Sequence, residues 1–236
     1  MSERKCLKLF LLIAVIAPFI YGSPLFATGQ QVPFNAVQVS IEVNNTDQTA
    51  AIQIVMDGPP CEKVIVKAPN GKFFGGRTRS ALGSLGAAHF EFESGKVSLT
   101  QMRLTDFLAM FPAGVYGFKG KGLDGSQVIG TATLSANIPD SAVIESPTTN
   151  QVVDPLNLIF QWSTVHTPVG IKIQEYQIVI RQQNSTNEFR VSLPFGINTV
   201  RIPGKFLVPA STFTAEIHAI DIGGNQSVSS VTFSTP

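Results

Sequence analysis

From Ser146 to Pro236 the chain alternates apolar and polar residues in short runs, and this pattern constrains the fold more than any other feature. The runs are Leu156 to Ser163, Gln174 to Arg181, Glu188 to Leu193, Thr199 to Ile202, Phe213 to Ile220 and Ser227 to Phe233. Tyr176, Ile178 and Ile180 alternate with Gln177, Val179 and Arg181; Ala215, Ile217 and Ala219 alternate with Glu216, His218 and Ile220. Period-two patterning at a spacing of roughly ten residues predicts an all-β sandwich. Trp162 in the first run and Tyr176 in the second are the candidate core aromatics.

The same signal runs through the first half. Val37, Val39, Ile41 and Val43 alternate with polar residues and predict a half-buried strand, followed by a turn at Asn44-Asn45-Thr46-Asp47. Ala50 to Met56 predicts a second strand, stopped by Asp57-Gly58-Pro59-Pro60, and Val64 to Val66 a third. Asn70-Gly71 and Asp124-Gly125 predict hairpin turns. Gly75 to Gly86 is glycine-rich and aperiodic, which predicts a flexible surface loop. Leu104, Leu108 and Phe111 give the one helical spacing, over Leu99 to Met110. Turn formers from Ile138 to Asp140 and from Ser146 to Asn150 predict a linker whose shortness implies end-to-end stacking. The chain therefore divides into an N-terminal β-domain with one short helix, Gln31 to Asn137, and a second β-sandwich, Ser141 to Pro236.

The N-terminus predicts the compartment. Arg4, Lys5 and Lys8 precede an uncharged run from Leu9 to Tyr21, then a break at Gly22-Ser23-Pro24, with Leu25 and Ala27 three and one residues before the predicted cut. This is the layout of a cleaved secretory signal, Met1 to Ala27, with an uncleaved anchor as the alternative. The 13-residue apolar run is short for spanning a bilayer core of ~30 Å. Export predicts a secreted, periplasmic or cell-surface protein. Removing the leader leaves Cys61 as the single cysteine, without an internal disulfide partner, and moves the charge balance from +1 to −1. Cys61 reads as a partly buried small apolar residue. Along the chain there is neither a basic stripe suited to a phosphate backbone nor a polybasic run for anionic lipid, which argues against nucleic-acid and membrane partners.

The C-terminal pattern resembles a fibronectin type III domain. Trp162 and Tyr176 fall at that family's core tryptophan and tyrosine, and Leu207 at its conserved leucine, while Phe213 takes the tyrosine-corner position without the hydroxyl. Asp221 to Ser227, Ile41 to Asp47 and Phe111 to Tyr116 further resemble a group of exported bacterial proteins pairing a small β-domain with a fibronectin type III domain. The resemblance implies an immunoglobulin-like sandwich and a secreted or periplasmic location, and it implies no activity. The Arg-Gly-Asp tripeptide is absent from the sequence, so adhesion by that motif is not implied.

Catalytic signatures are sparse. His89, His166 and His218 are far apart in sequence, and Gly83-Ser84-Leu85-Gly86 and Asn70-Gly71-Lys72-Phe73 have the wrong spacing for a nucleophile elbow or a phosphate loop. Glu91 and Glu93, with His89, form the one carboxylate pair a hydrolase could use, but a solvated outer strand face explains them better. Asn44, Asn45, Asp47 and Asp57 are oxygen ligands of the type calcium takes, against a self-stabilised turn. Asn44, Asn184 and Asn225 stand in Asn-x-Ser/Thr contexts. The pattern predicts a non-catalytic interaction or spacer protein without cofactor or bound metal, whose partner is an envelope or extracellular protein or polysaccharide. The predicted contact residues are Arg77, Arg79, Phe73 and Phe74. The competing readings are a carbohydrate-binding module using Tyr116 or Trp162, and a hydrolase.

Overall fold

Alternation along the chain becomes two hydrophobic cores, one built from residues between Val39 and Leu134, the other from residues between Ala142 and Phe233. The computed structural model describes residues 30–236, so the signal-peptide expectations, Cys6 included, fall outside the described residues. The described chain is all-β, with two short helices.

The N-terminal unit is organised by one long strand. Thr49–Lys67 (β3) is 19 residues long and does not stop at Asp57-Gly58-Pro59-Pro60. Its first half pairs with Ala36–Asn44 (β2) on one side and with Ala87–Glu93 (β5) and Val97–Ser98 (β6) on the other. Its second half pairs with Phe73–Arg77 (β4) and Gly114–Gly122 (β7). The register jumps from Asp57↔His89 to Cys61↔Ala87, so the residues between are bulged out of the ladder. A proline cannot donate to a ladder but is tolerated at a bulge, so the strand continues through Pro59 and Pro60 and changes partners there. Gly58 sits where an added Cβ would lie 2.9 Å from the Phe34 ring. Gln127–Leu134 (β8) and Gln31–Pro33 (β1) extend the layer beyond β7.

Two further expectations change. Gly75 to Gly86 is not a loop: β4 occupies its start and Ala81–Leu85 (α1) its end. The predicted helix over Leu99 to Met110 is only Leu104–Met110 (α2), because Arg103 is extended at its N-cap and its guanidinium grips Asp106 through two contacts of 2.9 Å. Phe107 of α2 is buried in the N-terminal core. Both hairpin turns form, with Gly71 at φ +82° and Gly125 at φ +84°, the left-handed conformation that glycine adopts without a Cβ penalty.

In the C-terminal unit Ile144–Ser146 (β9), Ile159–Trp162 (β10) and Thr199–Arg201 (β13) form one sheet. Ile173–Gln182 (β11), Glu188–Pro194 (β12), Thr212–Asp221 (β14) and Gln226–Ser234 (β15) form the other, in the order β15-β14-β11-β12. Three strands face four across a core of Trp162, Tyr176, Phe213 and Phe233, all 1% exposed or less. This is the sandwich that the fibronectin type III resemblance implies. Tyr176 Oη accepts the Val165 N–H at 2.7 Å. Phe213 keeps the corner packing without a hydroxyl, whereas Tyr116 in the N-terminal unit donates its hydroxyl to the Pro112 carbonyl four residues upstream. The predicted linker contains β9 and the fully buried Ala142, so much of it belongs to the second sandwich.

The units do not stack end to end. β2 pairs in parallel with β15 through Glu42↔Gln226, Val43↔Ser227 and Asn44↔Val228, so one 12-stranded sheet runs through both. Asn225, fully buried, pins this seam: Oδ1 accepts the Ile41 N–H at 2.9 Å, and Nδ2 donates to the Ser135 and Asn137 carbonyls at 3.0 and 2.9 Å. Ser227 Oγ donates to the Asp140 carbonyl at 2.8 Å. Buried backbone groups that would be unpaired at a cut edge are thereby satisfied across the seam.

Candidate functional site

β4 brings two of the four predicted contact residues together. Strand alternation puts Phe73 and Arg77 on the solvent face and turns Phe74 inward against the N-terminal core. Arg79 is exposed beyond the end of the strand. What the sequence order hides is the register beside them. Lys63 of β3 lies opposite Arg77 on β4 and opposite Lys121 on β7; Ile65 lies opposite Gly75 and Lys119; Lys67 lies opposite Phe73 and Gly117. Lys63, Lys67, Lys119 and Lys121 are all exposed. Five cations from three strands thus share one face, although the sequence contains no basic run.

The electrostatics of this face are uneven. Glu62 accepts from Lys121 Nζ at 2.8 Å and lies 3.5 Å from Arg77, and the Lys121 hydrogen bond first, then Arg77, hold its carboxylate below the usual range. Lys63 and Lys119 have no ion pair among the described residues, and the Lys67 ammonium rests 5.6 Å from the Phe73 ring centroid. Like charges directly opposite across strands destabilise a sheet, so Lys63 between Arg77 and Lys121 costs the free protein stability. Between β3 and β4 a groove of about 390 Å³ is lined by Ile65, Phe73, Gly75 and the flanking Lys63 and Arg77. Gly75 admits no side chain there: an added Cβ would lie 2.2 Å from the Val64 carbonyl oxygen.

The other charged region follows the seam. A polar groove of about 410 Å³ is lined from both units, including Glu42, Glu93, Lys96, Arg181, Glu216 and His218. Here the charges are paired. Glu42 accepts from Gln226 and Gln53 at 2.8 and 3.0 Å and lies 3.5 Å from Lys96. Arg181 bonds Glu188 and Glu216 at 2.8 and 2.7 Å, and Arg190 bonds Glu188 at 3.0 Å. His218 falls on the polar side of its strand, yet its side chain is only 12% exposed, because the seam covers that strand face. Its Nδ1 is 3.2 Å from Gln226 Oε1 and its Nε2 3.5 Å from Glu216 Oε2. Gln226 Nε2 is committed to Glu42 and Gln53, so both ring nitrogens face acceptors. His218 and then Arg181 hold the Glu216 carboxyl down to about 2, against the upward push of burial.

The remaining candidates disperse. Glu91 and Glu93 line the seam groove; His89, two residues before Glu91 on the same face of β5, lies outside that lining and 4.0 Å from Asp57. Tyr116 and Trp162 are fully buried and present no ring to a sugar. Asn44 Oδ1 accepts the Thr46 and Asp47 N–H groups at 3.0 and 2.9 Å, the self-stabilised turn. Asp57 lies elsewhere, accepting from Asn35. Asn44 and Asn225 are buried in these roles, whereas Asn184 is exposed. Cys61 is buried, its thiol pushed up first by desolvation and then by the Asp124 charge.

No protein-family model matches the sequence, and no curated protein matches it. Among solved structures it is similar to the FN1–FN3 domains of chicken CNTN1, at 12% identity and a TM-score of 0.32, covering 87% of this chain and 66% of that one. It is also similar to a two-domain fibronectin type III segment from chicken tenascin, at 11% identity and a TM-score of 0.30, covering 84% and 97%. A myokine structure aligns over 43% of this chain and 99% of its own, at 17% identity and a TM-score of 0.31.

Proposed function

We propose that this is an exported, non-catalytic interaction protein that binds an anionic partner through the basic face of β4, β3 and β7, with the C-terminal sandwich as its rigid mount. The observation that carries the reading is the row Arg77, Lys63, Lys121 on adjacent strands, with Lys67 and Lys119 beside it. An acidic partner relieves the mutual repulsion of these groups, and a low-dielectric sheet face focuses their field. The fused sheet and the Asn225 bonds fix the face relative to the second sandwich.

Titration of the protein with polyaspartate and dextran sulfate at low salt tests the binding reading. Binding that weakens tenfold or more in a Lys63→Glu/Lys119→Glu variant is expected; equal binding by both proteins sinks it. Export is tested separately by N-terminal sequencing of the protein from its host, where Thr28 is the expected first residue and an intact Met1 in the cytoplasm contradicts it.

A further inference from the structure

The basic face specifies more than a sign of charge, and we infer that its partner is an acidic polysaccharide, a single glycan chain bearing carboxylate or sulfate groups that lies across β4, β3 and β7. This rests on the reading of the face as an anion-binding surface. The cations are arranged by register. Neighbouring strands are ~4.8 Å apart, so Arg77, Lys63 and Lys121 stand abreast over about 10 Å. Two residues further along the strands, at ~3.3 Å per residue, Lys119 stands beside Ile65. A linear polyanion crossing the strands meets a cation on each of the three; Arg77 and Lys121 already share Glu62, so the uncommitted charges it finds are Lys63 and, one step along, Lys119.

The face also has an apolar component. Phe73 is 66% exposed, and with Ile65 it borders the groove of about 390 Å³ whose floor at Gly75 carries no side chain. That volume falls within the ~300–1,000 Å³ range of small-ligand sites. A pyranose ring has an apolar face and a polar edge; it can lie against Phe73 and Ile65 while its acidic groups reach Lys63 and Arg77. Two other polyanions fit less well. A bilayer needs an extended apolar face leading inward, but the exposed apolar surface here is Phe73 with Ile65, flanked by Lys63, Lys67 and Lys119. Duplex DNA presents phosphate rows on either side of a groove ~12 Å wide, broader than the row of three cations.

The test measures binding of the full protein to polygalacturonate oligosaccharides and to dextran sulfate. Neutral dextran, phosphatidylcholine vesicles containing phosphatidylglycerol, and a short DNA duplex serve as the comparison arms. The expected result is salt-dependent glycan binding that exceeds vesicle and duplex binding at equal charge. It should fall at least tenfold in Lys63→Glu/Lys119→Glu and stay within twofold in Lys172→Glu/Lys205→Glu, which makes the same charge change on the C-terminal unit. Phe73→Ala should lower glycan affinity severalfold with an unchanged salt slope, because it removes ring contact and no ion pair. Stronger binding to vesicles or duplex, with the same dependence on Lys63 and Lys119, overturns the glycan assignment and leaves the anion-binding reading standing. Binding to no polyanion overturns both.

Discussion

The seam and the basic face belong to one continuous sheet, yet their charges are arranged in opposite ways. At the seam Arg181 and Arg190 share Glu188, Arg181 also holds Glu216, and Lys96 faces Glu42. On the basic face Lys63 stands between two other cations, and Glu62 serves only Arg77 and Lys121. The first arrangement satisfies charges within each unit, and the side chain that crosses between them there is Gln226, which donates to Glu42 and Gln53 at 2.8 and 3.1 Å. The second leaves charge unsatisfied, which costs stability and is what an external partner can use. The contrast teaches that register decides which charges on one sheet meet partners and which stand beside like charges, and net charge near zero conceals both.

The largest effect should come from cutting the seam. Asn225→Ala leaves the Ile41 N–H and the Ser135 and Asn137 carbonyls without their side-chain partner. At ~1–3 kcal/mol per unsatisfied buried group, a loss of about 3 kcal/mol or more is expected in denaturant unfolding. A loss below about 1 kcal/mol would mean that strand pairing alone holds the units together.

Acid should attack the same region next. The Glu216 pKa is about 2 in the folded protein against an ordinary 4.5, so its contribution is fully present above about pH 4.5 and is lost as pH falls toward 2. The loss is at most about 3 kcal/mol. Unfolding measured across that window should show it, and Glu216→Gln should flatten the curve there. A parallel pH dependence in the variant would break the assignment.

The smallest effect has the opposite sign and sharpens the contrast most. Lys63→Gln removes a like-charge neighbour from both Arg77 and Lys121, so it should stabilise the free protein by about 0.5 kcal/mol while weakening polyanion binding. Removing a seam charge should only destabilise. If Lys63→Gln destabilises as well, the two regions are not different in kind.

How much of this was legible in the sequence depends on the distance over which each signal acts. The alternation at Tyr176 to Arg181 and at Val37 to Val43 is local, and those strands form as read. The Asn44 turn is equally local, three residues in reach. Asp57 to Pro60 misled because glycine and proline mark a chain stop and a strand bulge with the same residues; only pairing with β5 distinguishes them. Gly75 to Gly86 misled because Gly75 and Gly76 lack any side-chain period, while close approach to β3 requires that bareness at Gly75. Of the predicted contact residues, Phe73 and Arg77 share a face by alternation alone, but the lysines beside them come from positions 63, 67, 119 and 121.

By itself the sequence determined the all-β class, most of the strands and the aromatic core of the second sandwich, because period-two burial is written in neighbouring residues. Only the tertiary structure decided that the two units share a sheet, that His218 is enclosed between Gln226 and Glu216, and that five cations meet on one face. Those depend on which strands pair and in what register, and hydrogen bonds between distant backbones, not the order of residues along one of them, set that choice.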